Sequence, residues 1–165
     1  MAKKSPDKTQ KTNAARLLDR AGVAYRLVPY PVDEEHLEAT HVAEALGEDI
    51  RQVYKTLVLR AGKQLFVCVI PGAEEVDLKK AARAIGGRRG AMLRVRVLLP
   101  LTGYIRGGCS PVGMKTKLPT FIQRDCLELE EMFVSAGQRG LQVAIAPRAL
   151  VDFTQATPTD LTIEK

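Results

Sequence analysis

Histidine and cysteine are scarce in this chain of 165 residues, with two of the first and three of the second. His36 and His41 stand five apart, a spacing that does not place two imidazoles on one helix face as an HExxH pair would, so no metal site is expected. A serine or cysteine triad needs a histidine base near its nucleophile, and two histidines in one acidic segment give no sign of one. Cys68, Cys109 and Cys126 are odd in number and fall in no CxxC or mixed Cys/His spacing, which argues against a disulfide framework or a zinc site and leaves free thiols. Cys68 lies inside an apolar run, residues 65–70, where packing is its expected role. No GxxxxGK[ST] loop occurs and no GxGxxG follows a strand, so triphosphate hydrolysis and hydride transfer fit poorly and no cofactor is expected. No run of about 18 apolar residues suggests a membrane span. The opening residues are basic and polar, without the apolar centre of a secretory signal, and a cytoplasmic location is expected.

Acid is missing where base is concentrated. Residues 79–117 hold ten Lys or Arg and no Asp or Glu, although the whole chain carries only +6. The ten are Lys79, Lys80, Arg83, Arg88, Arg89, Arg94, Arg96, Arg106, Lys115 and Lys117. Such a one-signed stretch attracts a polyanion through phosphate contacts and counterion release, and nucleic acid is the leading candidate. The alternative is a solvated face balanced by acidic residues folded beside it.

Hydrophobic content of 45% and charged content of 27% suit a globular domain. The expected organisation is a disordered basic arm over residues 1–11 and one domain over 12–165. Thr12 caps a helix carrying Ala14, Leu17, Leu18 and Ala21, ended by Gly22. A strand follows over 24–30, then a helix from a Thr40 cap to Gly47. Residues 55–60 and 64–70 form a hairpin around Ala61, Gly62 and Lys63, which puts Lys55 at the start of a strand. Asp77 caps a helix with Leu78, Ala81, Ala82 and Ile85. Leu93, Val95, Val97 and Leu99 alternate with Arg94 and Arg96 as a strand with one basic face. Further strands are expected over 119–123, 131–135 and 141–146, and Pro147 opens a last helix. Helices and strands interleave with short connections, which predicts a single α/β or α+β domain.

Chemistry concentrates in residues 102–113, where four glycines and a proline let backbone approach a ligand closely and successive N–H groups can form an anion-binding nest. On composition alone, a sharp connection between strands explains the passage equally well.

Four motifs, in order and in register, resemble the YbaK/EbsC family. They are Tyr54-Lys55-Thr56-Leu57-Val58, Asp77-Leu78-Lys79-Lys80, the loop from Thr102-Gly103-Tyr104 through Gly107-Gly108-Cys109-Ser110-Pro111-Val112-Gly113, and Val134-Ser135-Ala136-Gly137-Gln138-Arg139-Gly140-Leu141. The match runs from about Lys11 to the C-terminus. The resemblance implies a curved, partly closed mixed β-sheet flanked by helices, shared with the editing domain of bacterial prolyl-tRNA synthetases. It also implies a substrate, tRNA(Pro) mischarged with cysteine, with prolyl-tRNA synthetase as a further candidate partner.

The family's essential lysine falls on Lys55 and its neighbouring threonine on Thr56. The GxxxP loop falls on Gly107, Gly108, Cys109, Ser110 and Pro111, a pocket tyrosine on Tyr30 and a pocket serine on Ser135. The catalytic group is thus Lys55 with Gly107, Gly108 and Ser110. Substrate contacts fall on Tyr30, Thr56, Cys109, Pro111, Ser135 and Gln142, and tRNA contacts on Lys79, Lys80, Arg83, Arg88, Arg89, Arg106, Lys115 and Lys117.

Two departures from the family stand out. The segment Leu37-Glu38-Ala39-Thr40-His41 is one residue shorter after Tyr30 and resembles the EbsC-like branch, and Gln142 stands where many members have an aspartate. The implied mechanism uses the substrate's own thiol to attack its ester, releasing a cyclic thiolactone. A deacylase for another small amino acid such as alanine, using water, is the alternative within the enzyme class. Attack by Cys109, or a non-catalytic tRNA- or synthetase-binding module, are the others.

Overall fold

Thr12 opens the first described element of the computed structural model, which describes residues 11–164. All of the expected arm except Lys11 lies outside those residues. The Thr12 hydroxyl accepts the Ala15 N–H at 3.2 Å, satisfying one orphan donor at the start of α1 (Asn13–Arg20). Ala14, Ala15 and Leu18 face inward and are buried, and the chain leaves through Gly22 with φ of 73°.

β1 (Tyr25–Pro29) and α2 (Ala39–Leu46) follow. Then comes the hairpin of β2 (Tyr54–Ala61) and β3 (Gln64–Pro71), in register from Tyr54 opposite Pro71 to Ala61 opposite Gln64. α3 (Leu78–Ala84) is capped by Asp77, whose carboxylate accepts the N–H groups of Lys79 and Lys80. The remaining elements are β4 (Ala91–Met92), α4 (Val95–Thr102), β5 (Thr120–Gln123), β6 (Met132–Gln138), β7 (Leu141–Ile145), α5 (Pro147–Thr154) and β8 (Thr157–Thr159).

The α+β domain expected from sequence is present, but its strands divide between two sheets. One has the order β1-β7-β6 and is antiparallel; the other has the order β4-β2-β3-β5-β8 and is mixed, with β5 parallel to both β3 and β8. A parallel bridge between Val53 and Phe133 joins them, so the surface curves without closing.

Period-two alternation sorts the side chains. On β3, Val67 and Val69 enter the core between the sheets, which also holds Leu18, Ile122, Met132, Val134, Val143, Ile145 and Leu150. Phe66, Cys68 and Ile70 point to the other face and pack with Ala81 and Ala82 of α3. Phe133 of β6 and Ala144 of β7 point to the other face of the three-stranded sheet and pack with Val42 and Ala43 of α2. Phe66 and Phe133 are fully buried, and burial of each side chain stabilises the fold by about 1.5–3 kcal/mol.

Three expectations are corrected. The stretch predicted as a basic-faced strand over 93–99 falls mostly in the helix α4; Ala91–Met92 pair with β2, and the Leu93 N–H donates to the Val58 carbonyl before the chain turns into the helix. Apolar residues at 93, 95, 97 and 99 fit a strand locally, yet tertiary packing selects the helix, burying part of Leu98 and Leu101 while Val95 and Leu99 stay exposed. The buried Thr102 hydroxyl donates back to the Leu98 carbonyl at 2.7 Å and accepts the Tyr104 N–H at 3.0 Å, ordering the exit through Gly103. Second, α2 starts at Ala39 with Glu38 at its cap position, so Thr40 lies inside the helix; its end at Gly47 is as expected. Third, β8 was not anticipated, because its Pro158 reads as a strand breaker and is tolerated at a sheet edge. Among the described residues no helix is long and apolar enough to cross a membrane.

Candidate active site

The start of β2, the loop around Gly107 and the segment entering α2 enclose a cavity of about 470 Å³. Its floor carries Lys55 and Thr56 of β2. Ser135 of β6 and Gln142 of β7 also line it and stand opposite each other in the register of the three-stranded sheet. Gly107 and Cys109 close one side, and Leu37, Glu38 and Val42 another.

Two buried polar atoms in this wall, Thr56 Oγ1 and Gln142 Oε1, have no hydrogen-bond partner among the described residues. Leaving such an atom unpaired costs roughly 1–3 kcal/mol, which a polar ligand would offset. The Ser135 hydroxyl accepts the Gly137 N–H at 3.1 Å and still has its own proton to donate. Lys55 is half-buried, and burial holds its pKa below the ordinary lysine value, against the opposing carboxylates of Glu75 and Glu74. Partly stripped of water, its ammonium acts on a neighbouring oxygen more strongly than a solvated one does.

The glycine loop is braced from both sides. Gly107 has φ of 86°, a left-handed backbone that glycine adopts without steric cost. Gly108 serves a different need: a Cβ there would lie 3.0 Å from Gln138 Cα and 3.1 Å from the Arg139 nitrogen. Its N–H donates to the Ile105 carbonyl at 2.9 Å. The Tyr104 hydroxyl donates to the Val112 carbonyl at 2.5 Å, and Arg139 Nε donates to the Arg106 carbonyl at 3.0 Å.

The site expected from sequence therefore narrows. Gly107 and Cys109 line the cavity, and their N–H groups have no acceptor among the described residues. Gly108, Ser110 and Pro111 do not line it. The Ser110 hydroxyl is fully buried and accepts the Val112 N–H at 3.1 Å, so it holds the loop's own shape. Tyr30 also stands away from the wall. It packs against the cluster beneath α2, and its N–H donates to the Gly140 carbonyl. The sequence assigns Arg139 no role, since its only signal there is a cation before the Gly140 turn.

Burial raises the Cys109 thiol to about 12, and Cys68 likewise to about 12. At neutral pH both are protonated and weak nucleophiles. The native protein should resist iodoacetamide at pH 7.5 and label only on unfolding; fast labelling of Cys109 would contradict this.

Of the ten basic residues over 79–117, Lys80 is engaged: its ammonium binds Asp160 and the Thr162 carbonyl, each at 2.8 Å. The other nine are exposed and make no ion pair among the described residues. Arg106 reaches the cavity wall.

Comparison with known proteins bears on this site. Residues 33–153 match the family described as the aminoacyl-tRNA editing domain. The chain is 42% identical, over the full length of both proteins, to the candidate Cys-tRNA(Pro)/Cys-tRNA(Cys) deacylase EbsC of Enterococcus faecalis. Among solved structures, it is similar to a candidate trans-editing enzyme for prolyl tRNA synthetase, with 28% identity, a TM-score of 0.81, and 98% of this chain and 100% of that one covered. A chain solved in work on grafting linear epitopes onto scaffold proteins is similar at 27% identity and a TM-score of 0.83, with the same coverage.

Proposed function

We propose, from the premise that this chain belongs to the aminoacyl-tRNA editing domain family, that its cavity takes the aminoacyl ester of mischarged tRNA and cleaves it, with cysteinyl-tRNA(Pro) as substrate. The observation that carries this reading is the pair of buried, unpartnered oxygens, Thr56 Oγ1 and Gln142 Oε1, in the same wall as Lys55. The 42% identity to a protein named for Cys-tRNA(Pro) deacylation supports the choice of amino acid and tRNA.

Cleavage of the ester builds negative charge on its carbonyl oxygen, and preorganised donors aimed there contribute most to the rate. The N–H groups of Gly107 and Cys109 fit that task, and Lys55 adds a positive charge beside the ester or the terminal ribose. The cysteinyl thiol attacks its own carbonyl carbon. A C–S bond forms, the ester C–O bond breaks, and the thiol proton ends on the freed ribose hydroxyl. The product is a cyclic thiolactone, and no nucleophile from the protein takes part.

On this mechanism Cys109 contributes packing and a backbone donor. Cys109→Ala should keep Cys-tRNA(Pro) deacylation within about tenfold of wild type, roughly 1.4 kcal/mol. An inactive Cys109→Ala, together with an acyl-enzyme trapped on the wild-type thiol, would place the nucleophile on the protein.

The exposed cations over 79–117, which make no ion pair among the described residues, form the tRNA face in this reading, with prolyl-tRNA synthetase as a candidate partner. Apparent tRNA affinity should fall steeply between 50 and 200 mM salt, and Arg88→Glu with Arg89→Glu should weaken it while sparing the single-turnover rate at saturation, measured by filter binding and quench kinetics. A flat salt dependence would assign recognition to a protein partner.

A further inference from the structure

α4, which lends Val95 and Leu98 to the cavity wall, leaves apolar side chains in water. Val95 is 63% exposed, Leu99 51% and, just before the helix, Met92 46%. Met92 and Val95 belong to the cavity wall, whereas Leu99 does not. Residues four apart on a helix share a face, so Val95 and Leu99 make one strip that starts at the cavity rim and leads away from it. Val97 is also exposed but sits about 200° around the helix from Val95, on the opposite flank. Arg94 and Arg96 lie in the same segment, both exposed and without an ion pair among the described residues.

An apolar strip this exposed, on a helix whose other side is packed, calls for an occupant. We infer that it seats the unpaired nucleotides that precede the terminal adenosine of tRNA, their bases lying on Met92, Val95 and Leu99 while Arg94 and Arg96 meet their phosphates. This rests on the proposed function, which places the ester and terminal nucleoside inside the cavity. The chain that carries the ester must then pass the rim, and single-stranded nucleic acid is bound by side chains that cover base faces, aromatic ones most often and aliphatic ones here, beside cations for phosphates. A protein partner would meet the apolar residues equally well. The arginines, in a segment with no acidic residue from 79 to 117, favour the polyanion.

The test pairs two variants that add the same charge to the same helix, Leu99→Glu on the strip and Val97→Glu off it. Both positions are exposed, and unchanged melting temperatures confirm folding. The probe is a 5′-labelled single-stranded RNA ending in CCA, followed by fluorescence anisotropy on the full chain. Leu99→Glu should weaken binding about tenfold and Val97→Glu no more than about twofold. For aminoacyl-tRNA, Leu99→Glu should raise KM with kcat retained, and cleavage of an aminoacyl-adenosine, which lacks the preceding nucleotides, should be unchanged.

Equal losses in the two variants would overturn the strip and leave only bulk charge. A Leu99→Glu defect seen solely when a synthetase is added would give the strip to a protein instead. Position-dependent RNA binding by a protein that cleaves no aminoacyl ester would uphold the surface while refuting the deacylase reading.

Discussion

Lys55→Ala is expected to lower single-turnover deacylation of Cys-tRNA(Pro) at least a hundredfold, roughly 2.7 kcal/mol of transition-state stabilisation, with the melting temperature unchanged. Lys55 is the second residue of β2, opposite Ile70, is half-buried at the cavity, and joins no ion pair among the described residues. Its truncation removes a partly desolvated charge and little core packing. Since burial already penalises the ammonium, its loss should leave stability the same or slightly higher. Lys55→Arg should also be poor, because a planar fork does not occupy the place of a compact ammonium. Activity within about threefold of wild type in Lys55→Ala would remove this residue from the chemistry.

Gly107→Val should be nearly as damaging, with at least a fiftyfold loss, about 2.3 kcal/mol. At φ of 86° a β-branched residue is strongly disfavoured. Its Cβ would also stand 3.3 Å from both Arg139 Nε and Leu37 Cδ1. Relieving that strain and crowding should turn the loop and with it the N–H groups of Gly107 and Cys109, residues of the cavity wall. The readout is the rate on Cys-tRNA(Pro) at saturating substrate, with circular dichroism to show the sheets intact. A Gly107→Val protein of near-normal rate would mean that these amides do not meet the oxyanion.

Much of this was legible in the sequence where the physics is local. The Asp77 cap, the β2–β3 hairpin around Gly62 and the Pro147 start of α5 each depend on residues within a turn of one another, and the structure has all three. α4 was not legible, because apolar residues at 93, 95, 97 and 99 suit a strand, and only the partial burial of Leu98 and Leu101 against distant residues decides for a helix. The division into two sheets likewise turns on contacts such as Val53 with Phe133, far apart in the chain.

The site divides the same way. Lys55, Thr56, Gly107, Cys109, Ser135 and Gln142, picked out along the chain, meet in one cavity. Ser110 and Tyr30 could not be separated from them without coordinates, since only geometry shows the Ser110 hydroxyl turned onto Val112. Arg139 escaped notice because the bond that gives it meaning, to the Arg106 carbonyl, crosses 33 residues.

The most direct test compares esters that differ in little but the nucleophile they carry. Purified protein would be incubated with Cys-tRNA(Pro), Ser-tRNA(Pro), Ala-tRNA(Pro) and Pro-tRNA(Pro), and amino acid release followed with time. Serine nearly matches cysteine in size, but its hydroxyl is a far weaker nucleophile than a thiol. Cysteinyl-tRNA(Pro) should be cleaved at least a hundredfold faster than the seryl ester, with a thiolactone as first product and prolyl-tRNA(Pro) spared. Equal rates on the cysteinyl and seryl esters, or no release from any of the four, would contradict it.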